Sequence, residues 1–201
     1  MLDRHLRPGI ERRIAVSARR LHGRHVSAQQ ITFTGLACGL LGAVAIAWGM
    51  PWLGLGLFLL NRIGDGLDGA VARLEGATDR GGYLDIVADF LVYAAIPLAF
   101  AVADPARNAL AAAFLLAAFL ANGVAFLAFA ILAEKRGLET RAQGQKSFYF
   151  LAGLAEGFET IAAFALMCIF PTWFEIIAMG FAMMCIVSAV ARMMTAWRAL
   201  G

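Results

Sequence analysis

The sequence predicts an all-α polytopic membrane protein, with six transmembrane helices preceded by an N-terminal amphipathic helix on the membrane surface. Three observations carry this reading. Of 201 residues, 61% are hydrophobic and only 15% are charged, whereas soluble domains are near half apolar and a quarter charged. The apolar residues gather in six runs, each near the roughly 20 residues that cross a bilayer. The basic residues fall between those runs or at their ends: all of the 17 Lys and Arg except Arg107 lie in the N-terminal arm, beside the acids of the second run, in or near the turn after Arg73, between Lys135 and Lys146, or near the C-terminus. By the positive-inside rule, both termini and that turn face the cytoplasm, which makes this an integral protein of the cytoplasmic (inner) membrane.

Composition also excludes several classes. Cys38, Cys168 and Cys185 lie in apolar segments without C-x2-C spacing, so neither a disulfide framework nor a zinc site is implied. They are expected as plain buried thiols. No soluble domain carries the basic clusters, which therefore read as topology signals and lipid-headgroup contacts rather than a nucleic-acid surface.

In chain order, residues 1–25 place Leu2, Leu6, Ile10, Ile14 and Leu21 on one helical stripe, with Arg4, Arg7, Arg12, Arg13, Arg19 and Arg20 around the rest. That is the pattern of an interfacial helix. Residues 26–201 form the membrane domain. Ser27 and Gln30 make a capping box that starts the first span, from about Ala28 to Trp48. Its Gly35 and Gly39 permit close helix packing, within or between chains. Gly49, Met50 and Pro51 turn the chain into a second span from about Trp52 to Leu74, and a polar turn from Glu75 to Gly81 leads to a third from about Gly82 to Val102, in which Pro97 is placed to kink the outer half. The fourth span, about Ala109 to Ala133, precedes a charged loop from Glu134 to Lys146. The fifth runs from about Ser147 to Phe170, Pro171 turns the chain, and the sixth covers about Trp173 to Trp197. No internal repeat is present.

The chemistry concentrates between Asn61 and Asp89. Four aspartates, Asp65, Asp68, Asp85 and Asp89, stand in segments otherwise apolar enough to span. Each costs about 3 kcal/mol on insertion scales, so such acids are read by default as functional. Asp65 and Asp68 are three apart and Asp85 and Asp89 four apart, so each pair shares one helix face. A tight turn between the helices sets them antiparallel, with the carboxylates facing each other. An all-oxygen ligand set suits Mg²⁺ or Mn²⁺. Gly69 and Ala72 leave a groove for a ring or diphosphate, and Arg73 adds a planar cation suited to phosphate.

This stretch resembles the signature of the class I CDP-alcohol phosphatidyltransferases, D-x2-D-G-x2-A-R followed by G-x3-D-x3-D, filled here by Asp65, Asp68, Gly69, Ala72, Arg73, Gly81, Asp85 and Asp89. The gap between Arg73 and Gly81 is seven residues, where the family more often has eight. The family's first span often opens with Pro-Asn-x-x-Thr; Ala28, Gln29 and Thr32 stand here, and only Thr32 matches. The resemblance implies transfer of a substituted phosphate from a CDP-linked donor to an alcohol, with release of CMP. It further implies a two-ion Mg²⁺ or Mn²⁺ site on Asp65, Asp68, Asp85 and Asp89, with Asp89 also the general base. Thr32, Asp68, Gly69, Ala72, Arg73 and Gly81 would line the nucleotide, and the enzyme would be a homodimer. CDP-diacylglycerol is the expected donor; the reversed arrangement pairs a CDP-amino alcohol with diacylglycerol.

Counting depth at about 1.5 Å per residue puts Asp65, Asp68 and Asp89 roughly 10 to 15 Å inside the cytoplasmic end, with Asp85 shallower. Asn122, Glu156, Ser188 and Arg192 fall in the same layer, and Arg62 and Glu159 slightly deeper. Polar groups at that level imply a water-filled cavity open to the cytoplasm. Asn122 and Ser188 are expected mainly to hydrogen-bond between helices, while Glu156 and Glu159 either wall the cavity or pair with Arg192 or Arg62. Arg141, Lys146, Glu156, Glu159 and Arg192 are the acceptor-pocket candidates. The basic ones suit a phosphorylated polyol, and the glutamates favour an amine or neutral polyol, toward which the reading leans. Two other classes fit less well. An intramembrane aspartyl protease matches only Ile63-Gly64-Asp65 of its Gly-x-Gly-Asp element and leaves Arg73 unexplained. A divalent-cation transporter needs a path across the membrane, yet the outer halves of the spans hold almost no polar residue.

Overall fold

The computed structural model describes residues 14–136 and 157–200. Every regular element among them is helical: α1 (14–22), α2 (Ala28–Ala47), α3 (Pro51–Glu75), α4 (Asp79–Ala103), α5 (Pro105–Lys135), α6 (Gly157–Ile169) and α7 (Phe174–Leu200), with a 3-10 turn at Pro171–Trp173. Helices α2, α4 and α5 and the stretch Pro171–Leu200 are long and apolar enough to cross a membrane. Helix α3 has the length, at 25 residues, but Arg62, Asp65, Asp68 and Arg73 interrupt its apolar run. The expected fifth span is described only over the 13 residues of α6. Residues 1–13 of the amphipathic arm lie outside the described residues.

The chain forms two compact units, residues 1–99 and 100–201. In the first, the start of α2 is fixed by the expected capping box: Ser27 N donates to Gln30 Oε1 at 3.0 Å and Gln30 N to Ser27 Oγ at 3.3 Å. Helix α1 lays its apolar stripe against the C-terminal half of α3. Ala18 is buried with Ala70 and Val71, and Ile14 and Leu21 pack around them. Glu75, the last residue of α3, accepts from Ala28 N at 3.3 Å and lies 3.9 Å from His22 Nδ1. One carboxylate thus ties the end of α1 and the start of α2 to the end of α3.

Close approach of α2 and α3 is what aligns the site. Gly35, Gly39 and Gly42 of α2 face Asn61, Gly54 and Phe58 of α3, so this small-residue face is used within the chain. A Cβ at Gly54 would stand 2.9 Å from the Gly42 carbonyl oxygen, and one at Gly42 would stand 3.1 Å from that of Gly54. Asn61 closes the seam by donating from Nδ2 to the Gly35 carbonyl at 2.9 Å. The turn from α3 to α4 is shorter than the expected Glu75 to Gly81. Gly76 ends α3 at a positive φ of 94°, a conformation open to glycine. Thr78 then caps α4, its Oγ1 accepting from Gly81 N at 3.1 Å. Helix α4 therefore already starts at Asp79.

In the second unit α5 and α7 run along each other. Phe119 sets its edge on Phe164 of α6 and Phe181 of α7, at 6.0 and 5.8 Å, and Phe100 stacks on Phe174 at 4.5 Å. Arg107 donates to the Thr172 carbonyl at 3.1 Å, and Arg136 to that of Leu200. Cys168 and Cys185 are buried free thiols, as expected, while Cys38 is half-buried. The helix-to-helix hydrogen bonds expected of Asn122 and Ser188 are not made through Asn122 Oδ1 or the Ser188 hydroxyl, both buried without a partner among the described residues. One turn along each helix, the Arg192 guanidinium instead covers the Phe126 ring at 5.1 Å.

Gly54→Val should lower stability by about 1–3 kcal/mol through overpacking of the α2/α3 seam. Gly56→Val, where nothing lies within 4 Å, should not, and unfolding of the two variants in mixed micelles distinguishes them.

Candidate metal centre

Antiparallel α3 and α4 place residues of equal depth opposite each other. Arg62 meets Asp89, and Asp65 meets Asp85. One oxygen from each of Asp65, Asp68 and Asp85 falls within 4.8 Å of the others, a spread that one cation can draw together. Asp68 is buried to 4% exposure, and the Thr32 hydroxyl of α2 stands 2.6 Å from its Oδ2 and 3.0 Å from the Ala28 carbonyl. The single hydroxyl proton serves the closer, charged acceptor.

Arg62 is the expected cation of the layer, and the partners described for it lie on α3 and α4. Its Nη2 donates to Asp89 Oδ1 at 2.6 Å, and its Nη1 lies 3.6 Å from Asp65 Oδ2. The reason is register: Arg62 is one turn from Asp65 on α3 and directly opposite Asp89 on α4. Nη1 also donates to the Tyr93 hydroxyl at 3.0 Å, and Nε to Asn61 Oδ1 at 2.8 Å. With four carboxylates against one guanidinium, three negative charges remain in excess. The donor set is oxygen-only and partly buried, and fits Mg²⁺ or Mn²⁺.

Gly69, Ala72 and Arg73 continue along α3 toward its C-terminal end. A Cβ at Gly69 would meet Arg73 Nη1 at 3.7 Å, so the guanidinium lies back over the glycine on the surface next to Asp68. Gly81 sits in the first turn of α4, bonded to Thr78.

This arrangement fits the resemblance read from the motif, and the profile of the CDP-alcohol phosphatidyltransferase family matches residues 25–198. The chain belongs to that family. It is 44% identical over 200 residues to the inner membrane protein YnjF of Escherichia coli strain K12, covering 100% of this chain and 97% of YnjF. Among solved structures it is similar to the phosphatidylinositol phosphate synthase PgsA1 of Mycobacterium tuberculosis. The manganese and citrate complex matches at a TM-score of 0.71 and 20% identity, over 92% of this chain and 88% of that one. The complex with CDP-DAG matches at 0.66 and 21%, over 92% and 94%. This phosphatidyltransferase is thus a membrane enzyme of lipid biosynthesis.

The structure gathers Thr32, Asp65, Asp68, Asp85 and Asp89 in the first unit. Glu159 and Arg192 belong to the second unit, and Arg141, Lys146 and Glu156 lie outside the described residues. Tyr93 escaped the sequence reading. Its position, one turn after Asp89 on the same face of α4, was the available signal.

Thr32→Val should weaken Mn²⁺ binding by about 10- to 100-fold, the usual cost of losing a group that orients a metal ligand. Thr34→Val should leave it unchanged, since that hydroxyl serves only its own helix, at the Gln30 carbonyl. Isothermal titration of the two variants in detergent reads the difference.

Proposed function

We propose that this phosphatidyltransferase moves the phosphatidyl group of CDP-diacylglycerol to a small alcohol and releases CMP. The observation that carries the proposal is the meeting of Asp65, Asp68 and Asp85 oxygens within 4.8 Å, on a fold similar to one solved with CDP-DAG. A bound Mg²⁺ or Mn²⁺ would neutralise the diphosphate and the charge that builds on departing CMP. Asp65, Asp68 and Asp85 would hold the ion, and Thr32 fixes the Asp68 carboxylate. Gly69 and Ala72 leave room for the cytidine, with Arg73 and Gly81 at the phosphate end of the same groove. Asp89 takes the proton of the acceptor hydroxyl as it attacks the β-phosphorus of the diphosphate, the one bonded to the lipid.

A site just below the cytoplasmic interface lets the donor keep its acyl chains in the bilayer while its headgroup reaches the aspartates. The positive-inside pattern supports termini and site on the cytoplasmic side. Glu156 and Glu159 support an acceptor without a phosphate, such as an amine alcohol or a neutral polyol; Arg141, Lys146 and Arg192 are the residues that a phosphorylated acceptor would use. Assembly as a homodimer enters from the family resemblance, and light scattering of the solubilised protein reads it.

The test is CMP release by purified protein with CDP-diacylglycerol, Mg²⁺ or Mn²⁺ and a panel of alcohols: serine, ethanolamine, glycerol, inositol, inositol phosphate and glycerol 3-phosphate. Acceptor-dependent release is expected, falling by at least about 10²-fold in Asp89→Asn. Release with glycerol 3-phosphate or inositol phosphate alone would overturn the acceptor assignment. Product from a CDP-amino alcohol and diacylglycerol alone would overturn the donor.

A further inference from the structure

Arg62 is held by the protein more firmly than charge balance alone requires. Its side chain is 7% exposed, on a helix where a charge is costly and functional by default. Each guanidinium nitrogen has a protein partner: Nε donates to Asn61 Oδ1 at 2.8 Å, Nη1 to the Tyr93 hydroxyl at 3.0 Å, and Nη2 to Asp89 Oδ1 at 2.6 Å. Nη1 also stands 3.6 Å from Asp65 Oδ2. The guanidinium carbon lies 5.8 and 5.1 Å from the ring centroids of Phe58 and Tyr93. Asn61 in turn donates from Nδ2 to the Gly35 carbonyl at 2.9 Å, so the orientation of Arg62 is inherited from the α2/α3 seam. A cation so enclosed acts through its neighbours rather than by touching a substrate.

Those neighbours stand on both helices of the acidic centre, Asp65 on α3 and Asp89 on α4. A carboxylate can turn about its side-chain bonds, whereas a guanidinium is a rigid planar fork. The fork faces one oxygen of each acid, Oδ2 of Asp65 and Oδ1 of Asp89, and leaves the other oxygen of each turned elsewhere. We infer that Arg62 is a positioning residue of this centre: oriented by Asn61 and Tyr93, it holds the Asp65 and Asp89 carboxylates in fixed register across the α3/α4 seam, so that both meet a divalent metal already aligned. Tyr93 is the second member of the device, because its hydroxyl takes the Nη1 hydrogen bond and its ring flanks the guanidinium. This inference rests on reading the acids as a metal centre and adds to it the residues that hold the ligands in place.

The test uses substitutions that keep the net charge, because deleting the Arg62 charge would by itself draw a divalent cation in more strongly. Mn²⁺ binding to the full-length protein in detergent, with free Mn²⁺ followed by electron paramagnetic resonance, needs no turnover. Arg62→Lys keeps the charge but loses the fork. It should weaken Mn²⁺ binding by about 10- to 100-fold, the usual cost of losing a group that orients metal ligands. Tyr93→Phe keeps the ring and loses one hydrogen-bond acceptor, with a smaller expected loss of about 3- to 10-fold. In the Arg62→Lys background Tyr93→Phe should add nothing, since both act through the same guanidinium. Wild-type affinity in Arg62→Lys, or fully additive effects of the two substitutions, would overturn the inference. Should Arg62→Lys not fold, Tyr93→Phe decides, and unchanged binding there overturns it. An Asp68→Asn variant separates the two levels: Mn²⁺ binding unchanged in that variant sinks the metal-centre reading itself, whereas binding lost there but kept in Arg62→Lys sinks only the role of Arg62.

Discussion

Four carboxylates on two apolar helices need positive charge beside them, and the architecture of the first unit answers that need. The cost of a lone acid in hydrocarbon is large enough to unfold a marginal protein. Among the described residues, Arg62 is the cation that the helices themselves bring to the acids. The charge it leaves in excess is what makes a divalent ion, and then the diphosphate that such an ion attracts, a natural occupant. Function here follows from an unfinished charge balance.

Packing decides where that balance is struck. Glycines let α2 and α3 approach until backbone meets backbone, and this brings Thr32 against Asp68 and Asn61 against Gly35. From there the order passes outward, through Asn61 to Arg62 and through Arg62 to Asp89. The acids of α4 are reached through side chains, so the position of Asp89 depends on a residue of α3. Helix α1 and Glu75 brace the other end of α3, beside the glycine and arginine expected to meet the nucleotide.

Much of this was legible in the sequence, and for physical reasons. Long apolar runs have few alternatives to helix in a bilayer, so the ends of α2 to α5 and of α7 came within a few residues. The capping box of Ser27 and Gln30 declares itself by spacing. The aspartates stand out because nothing else explains acids in such company. Thr32 was singled out by the family's first-span pattern as a residue lining the nucleotide, and its bond to Asp68 became visible only in the structure. Pairings across helices were harder. Arg62 was visible as a deep cation, but its partner depends on the register of α3 against α4, which the length of the Gly76 turn sets. Tyr93 looked like any aromatic of an apolar span. Asn122 and Ser188 looked by depth like residues that hydrogen-bond between helices, yet depth does not set the helix rotation that such bonds require.

The most direct measurement is anomalous diffraction from crystals of the wild-type enzyme soaked in Mn²⁺. Manganese density enclosed by Asp65, Asp68 and Asp85 is the predicted result. The account is contradicted if no manganese density lies among these acids.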